Sequence, residues 1–81
     1  MANNQCQYKI LAVERVLQDN PSGVTVKEII SKLDYEYGVK AERKAIYQNI
    51  DVLKWFLPIG VIKDGNTNVY YIKQLNQKTK N

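Results

Sequence analysis

At Pro58 the apolar residues of this chain change period, and with it the kind of structure they can form. Before Pro58 they recur at helical spacing in three segments; after it, β-branched and aromatic residues fill two short runs. The element order to expect is three helices and then two strands. In the first segment, Tyr8 to Asp19, Ile10, Val13, Val16 and Leu17 line one side and Glu14, Arg15 and Gln18 the other, until Asn20-Pro21-Ser22-Gly23 stops it. Thr25-Val26-Lys27-Glu28 then forms a capping box, the Thr25 hydroxyl accepting from the Glu28 amide while the Glu28 side chain reaches back to Thr25. Val26, Ile29, Ile30, Leu33 and Tyr37 continue the second helix, and Gly38 is placed to end it in a left-handed conformation.

A third helix is expected to start at Lys40 or Ala41, to bury Ile46, Ile50, Leu53 and Leu57, and to stop before Pro58, which makes it the longest of the three. Gly60 to Lys63 and Asn68 to Lys73 are the strands of a hairpin around Asp64-Gly65-Asn66-Thr67, with Ile62, Tyr70 and Ile72 as its anchoring apolar face. The expected fold class is α+β, mainly α: a winged helix-turn-helix of three helices followed by a β-hairpin wing. The domain spans residues 8–73, between a flexible stretch 1–7 and a polar, basic tail 74–81 that frays.

What the chain lacks narrows its chemistry. Val, Ile, Leu and Phe make up 23 of 81 residues, above the roughly 20% below which charged chains stay disordered. The core has to form without staples, because one cysteine, Cys6, makes no internal disulfide and gets no assigned role. With no histidine, a zinc site of the usual nitrogen and sulfur ligands cannot be built within one chain, and imidazole-based acid/base or nucleophile pairs are excluded. Gly23, Gly38, Gly60 and Gly65 match no phosphate-binding fingerprint. Asp34-Tyr35-Glu36-Tyr37 reads as a solvated helix end rather than a carboxylate pair. The expectation is a non-enzyme with no catalytic residue, cofactor or metal. No apolar run is long enough for a membrane span, and residues 1–7 lack the layout of a signal peptide, so a cytoplasmic protein is expected.

Charge is distributed unevenly. Residues 1–37 hold four basic and five acidic side chains and residues 38–81 hold eight and three, so the net +4 belongs to the C-terminal half, as suits a polyanion-binding face. On the third helix the side opposite the stripe carries Ala41, Lys44, Ala45, Gln48, Val52 and Trp55. A helix entering the major groove needs donors for base edges and small residues that permit close approach. Lys44 and Gln48 are the donors, Lys44 suited to guanine and Gln48 to adenine, and Ala41 and Ala45 are the small residues. Lys40 and Arg43 at the helix start, and the Tyr47 hydroxyl on its flank, suit phosphate oxygens. Lys63, Asn66 and Asn68 bring the wing to the phosphate backbone or the adjacent minor groove, where Asp64 offsets Lys63 and limits its contribution. An ordinary solvated helix face would carry the same polar residues.

The stretch Gly38 to Leu53, above all Arg43-Lys44-Ala45-Ile46-Tyr47 followed by Ile50 and Leu53, resembles the recognition-helix segment of the N-terminal winged-helix domain of bacterial WYL-domain transcriptional regulators. The capped second helix and the closing Val69-Tyr70-Tyr71-Ile72 strand fit as well, so the resemblance covers about residues 8–73. It implies a duplex-DNA-binding module, usually dimeric, with Arg43, Lys44 and Ala45 at the DNA. The chain departs from the family where an Arg-Asp pair is usual and Gln48-Asn49 stands, at Ala45 in place of a threonine, and at Glu42 in place of a capping aspartate. A basic contact, a hydroxyl and a cap are thereby missing. The family's long effector-sensing part has no counterpart here, which leaves an excised domain or a short stand-alone protein as the expectation.

Val52, Trp55 and Phe56 lie off the main stripe. The first helix and the wing are expected to cover them; the other reading makes them a dimer or partner surface. The expected function is a sequence-specific double-stranded DNA-binding regulator, a homodimer on DNA. The alternative is a small winged-helix module, a phage or mobile-element accessory or inhibitor, that binds a protein partner through the face around Trp55 and Tyr47.

Overall fold

Helix boundaries are set by local chemistry at each end, and the computed structural model, which describes residues 5–73, shows where that chemistry prevails. Helix α1 (Gln5–Asp19) begins three residues before Tyr8, inside the stretch expected to be flexible. It ends where the Asn20 side-chain amide donates to the Val16 carbonyl at 2.7 Å. Strand β1 (Val24–Thr25) follows, then α2 (Val26–Tyr37), whose capping box is complete. The Glu28 amide donates to Thr25 Oγ1 at 3.1 Å and the Thr25 amide to Glu28 Oε1 at 2.9 Å. Gly38, at φ 66° and ψ 26°, closes α2 in the left-handed region. The expectations for residues 1–4 and 74–81 lie outside the described residues.

Helix α3 (Arg43–Leu53) is shorter than expected at both ends. With 11 residues it is the shortest of the three helices, and α1, with 15, is the longest. At the N-terminal side Val39 is buried and Glu42 is extended (φ −99°, ψ 158°), so Lys40 and Ala41 belong to a connector. At the C-terminal side the Trp55 and Phe56 amides donate to the carbonyls three residues back, Val52 and Leu53. This tightened turn precedes Pro58, which disfavours helical geometry at Leu57 and offers no amide.

The hairpin pairs β2 (Ile59–Asp64) with β3 (Thr67–Ile72), and Gly65, at φ 66°, takes the first position of its two-residue loop, the place a type II′ turn reserves for glycine. Strand β1 adds to the far side of β3, giving an antiparallel sheet of order β1-β3-β2. Two residues carry too little pattern for β1 to be read from sequence. The chain is thus a small α+β domain of three helices and a three-stranded antiparallel sheet, a layout consistent with the expected winged helix.

The core draws Val13, Val16 and Leu17 from α1, Ile29 and Leu33 from α2, Ile46, Ile50 and Leu53 from α3, and Tyr70 from β3. The hairpin's anchoring face differs from expectation by parity. Ile62 pairs with Val69 and therefore shares the side opposite Tyr70; it is half exposed, and Ile59, paired with Ile72, packs against the core in its place. Close approach of β1 to β3 depends on Gly23, whose φ of 112° suits glycine and whose added Cβ would come to 2.4 Å from Val69 Cγ1. Gly23→Ala is expected to lower the thermal midpoint by more than Gly38→Ala, since Gly38 has nothing within 4 Å of an added Cβ. Equal melting curves for the two variants would contradict the close β1–β3 approach. Among the described residues no helix is long and apolar enough to cross a membrane.

Candidate functional site

Burial of Ile46 and Ile50 fixes the rotation of α3 and leaves Arg43, Lys44 and Gln48 exposed. Lys44 and Gln48, one turn apart, project from the side opposite the stripe, and Arg43 and Tyr47 occupy one flank. Glu42 precedes the helix without a side-chain capping bond, in line with the cap missing from the sequence. The first intrahelical bond runs from the Ile46 amide to the Glu42 carbonyl at 3.1 Å, so the amides of Arg43, Lys44 and Ala45 have no acceptor within the helix. Free donors and two cations thus stand together at this end.

Ala41 and Ala45 are half-buried rather than fully on the exposed face. Ala41 lies before α3 and packs against the core, and Ala45 borders a hollow of about 390 Å³ shared with Lys9, Lys40, Ala41 and Glu42. Lys40 is therefore a connector residue. Its ammonium lies 3.3 Å from Asp34 Oδ1, with the lysine side chain still 86% exposed. A pair so open to water holds its partners weakly and leaves the lysine able to exchange it for another anion.

The hairpin tip does meet the flank of α3. A groove of about 330 Å³ is lined by Arg43 and Tyr47 of α3, by Asn66, Thr67 and Asn68 of the hairpin, and by Thr25, Val26 and Lys27 at the start of α2. Four residues singled out from sequence, Arg43, Tyr47, Asn66 and Asn68, are brought together here. Lys63 is exposed on β2, and although it pairs with Asn68 in register it is not among the lining residues. Lys27 was missed. Its signal is a cation two residues after a capping threonine, but its neighbours come from two distant segments. Lys9 was missed for the same reason, reaching the start of α3 from α1.

One residue farther along α3 limits the cationic face. Asp51 is one turn past Gln48 on the same side, its side chain 76% exposed, with a loose ion pair of 4.0 Å to Lys54. The Asn49 amide nitrogen is buried without a hydrogen-bond partner among the described residues, a cost with no sequence signal. Val52, Trp55 and Phe56 are 45%, 85% and 77% exposed, so the expected cover is absent. The hairpin packs through β3 on α1 and α2, and the tight turn after Leu53 carries both aromatics away from the buried stripe. The arrangement as a whole is a cationic, donor-rich ridge and groove at one end of α3 and an apolar cluster at the other. No family model matches the chain, and neither does any curated protein or solved structure.

Proposed function

We propose that this chain is a sequence-specific duplex-DNA-binding protein of the winged helix-turn-helix type, a transcriptional regulator that acts by binding and catalyses nothing. The observation that carries the reading is the exposure of Lys44 and Gln48 on α3, directly beside a groove where Arg43, Lys27, Tyr47 and the hairpin tip converge. In this reading the N-terminal half of α3 enters the major groove, Lys44 and Gln48 meet base edges, and the groove takes the phosphates of the adjoining strand. Eleven residues make a helix about 16 Å long, long enough for its first two turns to sit in the groove while Asp51 stays clear of the backbone. The resemblance to the winged-helix domain of WYL-domain regulators supports the same docking, with one half-site read by each chain.

Counterion release supplies the test. If Lys27, Lys40 and Arg43 each neutralise a phosphate, log affinity should fall against log salt with a slope of about −3 per chain. Titration of mixed duplexes at several salt concentrations measures it. Binding unaffected by salt, or no binding to any duplex at low salt, would remove DNA as the ligand.

A further inference from the structure

We propose that Asp51 is a third base-reading residue of α3, selecting a cytosine beside the base that Gln48 meets. The inference rests on the docking proposed above and concerns a residue which that docking leaves without a role. At 100° per residue, Lys44, Gln48 and Asp51 fall within an arc of about 60° on α3, and all three are exposed. They form one ridge, on the side opposite buried Ile46, Ile50 and Leu53. From Lys44 to Asp51 is about 10 Å along the helix axis, or about three base-pair steps of about 3.4 Å. An acid three residues past Gln48 therefore faces the same row of bases about one step farther on.

Helix stability does not account for an acid at this position. The macrodipole favours acids in the first turn and cations in the last, whereas α3 carries Arg43 and Lys44 in its first turn and Asp51 in its last. Lys54, one residue past the helix, offsets little of this, because its ammonium is 4.0 Å from Asp51 Oδ1 and the aspartate side chain is 76% exposed. Arg43 and Lys44 have phosphates and base edges to meet. Asp51 turns the opposite charge to the same duplex, so a phosphate repels it and only a hydrogen-bond donor holds it. In the major groove cytosine presents its N4 amino donor alone. Adenine sets its N6 amino group beside the N7 acceptor, and guanine and thymine present acceptors. A carboxylate held clear of the backbone thus selects cytosine, and the same charge weakens any docking that brings it to a phosphate, so discrimination rises from both sides.

Selection of the parent chain, Asp51→Ala and Gln48→Ala against randomised duplexes tests this, followed by affinities on the selected and scrambled sequences. The parent should prefer cytosine one or two base pairs from the position at which Gln48→Ala relaxes preference. Asp51→Ala should lose that cytosine alone, weaken on the selected duplex by about 5- to 100-fold, and bind scrambled duplexes at least as tightly as the parent. Its melting midpoint should be no lower than the parent's, because the side chain is exposed and opposes the helix dipole. A cytosine preference that survives in Asp51→Ala, or an equal gain on every duplex, reduces Asp51 to general repulsion and overturns the proposal. A lower midpoint with a uniform loss on all duplexes assigns Asp51 to the fold and overturns it as well. Preference relaxed by Gln48→Ala and untouched by Asp51→Ala would overturn the role of Asp51 and leave the docking of α3 intact, whereas a parent that selects no duplex overturns both.

Discussion

Replacing Ile50 by alanine is expected to cost about 2–5 kcal/mol of stability, the range for removing most of a buried aliphatic side chain. Ile50 is 1% exposed and sits between Ile46 and Leu53 on the one face of α3 that touches the core. The loss has two parts, the transfer energy of the deleted carbons and the cavity left where the surroundings relax incompletely. Both are large relative to the whole, since a chain of 81 residues is stable by about 4–12 kcal/mol in total. Denaturant unfolding should show a much lower midpoint with an unchanged slope, which separates lost stability from a change in unfolding mechanism. Gln48→Ala, one turn earlier on the opposite side, should leave the midpoint within about 0.5 kcal/mol of the parent. Similar midpoints for Ile50→Ala and Gln48→Ala would mean that the helix is rotated from its described face.

Ile50 was legible from sequence because helical period needs only the neighbouring residues, and the same holds for the Thr25–Glu28 box and the Gly38 stop, each a matter of a few adjacent side chains. Ile62 was not. Its face depends on which residue of β3 stands opposite, and a one-residue difference in register reverses the side on which every strand residue points. The end of α3 was misjudged for a related reason: Pro58 marks where a helix must have stopped, whereas the tightening of the last turn at Trp55 and Phe56 depends on a connection into β2 that no local pattern encodes. At the candidate site, Arg43, Lys44, Tyr47 and Gln48 could be named from their spacing, because exposed residues of an amphipathic helix follow from its buried ones. Lys27 and Lys9 could not, since each reaches α3 only through the packing of another helix. The periodic stripe alone places the start of α3 at Lys40 or Ala41, whereas Glu42 is extended and leaves both residues in the connector.

Substitutions on the cationic face should divide into two classes if the proposed docking is right. Lys44→Ala and Gln48→Ala remove donors that face away from the core with no protein partner among the described residues. Each should cost about 1–3 kcal/mol on the preferred duplex and much less on a scrambled one, because a base-edge contact is lost only where that base is present. Arg43→Ala and Lys27→Ala act in the groove beside the hairpin tip and should weaken all duplexes alike while making the salt slope shallower by about 1 each. Their pairing is the stronger part of the prediction. Arg43 is the first residue of α3 and Lys27 the second of α2, so an equal change in slope would follow from the groove they share and from nothing in their sequence context. Lys63→Ala should have a smaller effect than Lys44→Ala and a uniform one, because Lys63 is outside the groove and Asp64 follows it on β2. Duplex titrations of the five variants on specific and scrambled sequences distinguish the classes. A sequence-dependent loss for Lys63→Ala with none for Gln48→Ala would transfer base reading from α3 to the hairpin and overturn the docking proposed for this chain.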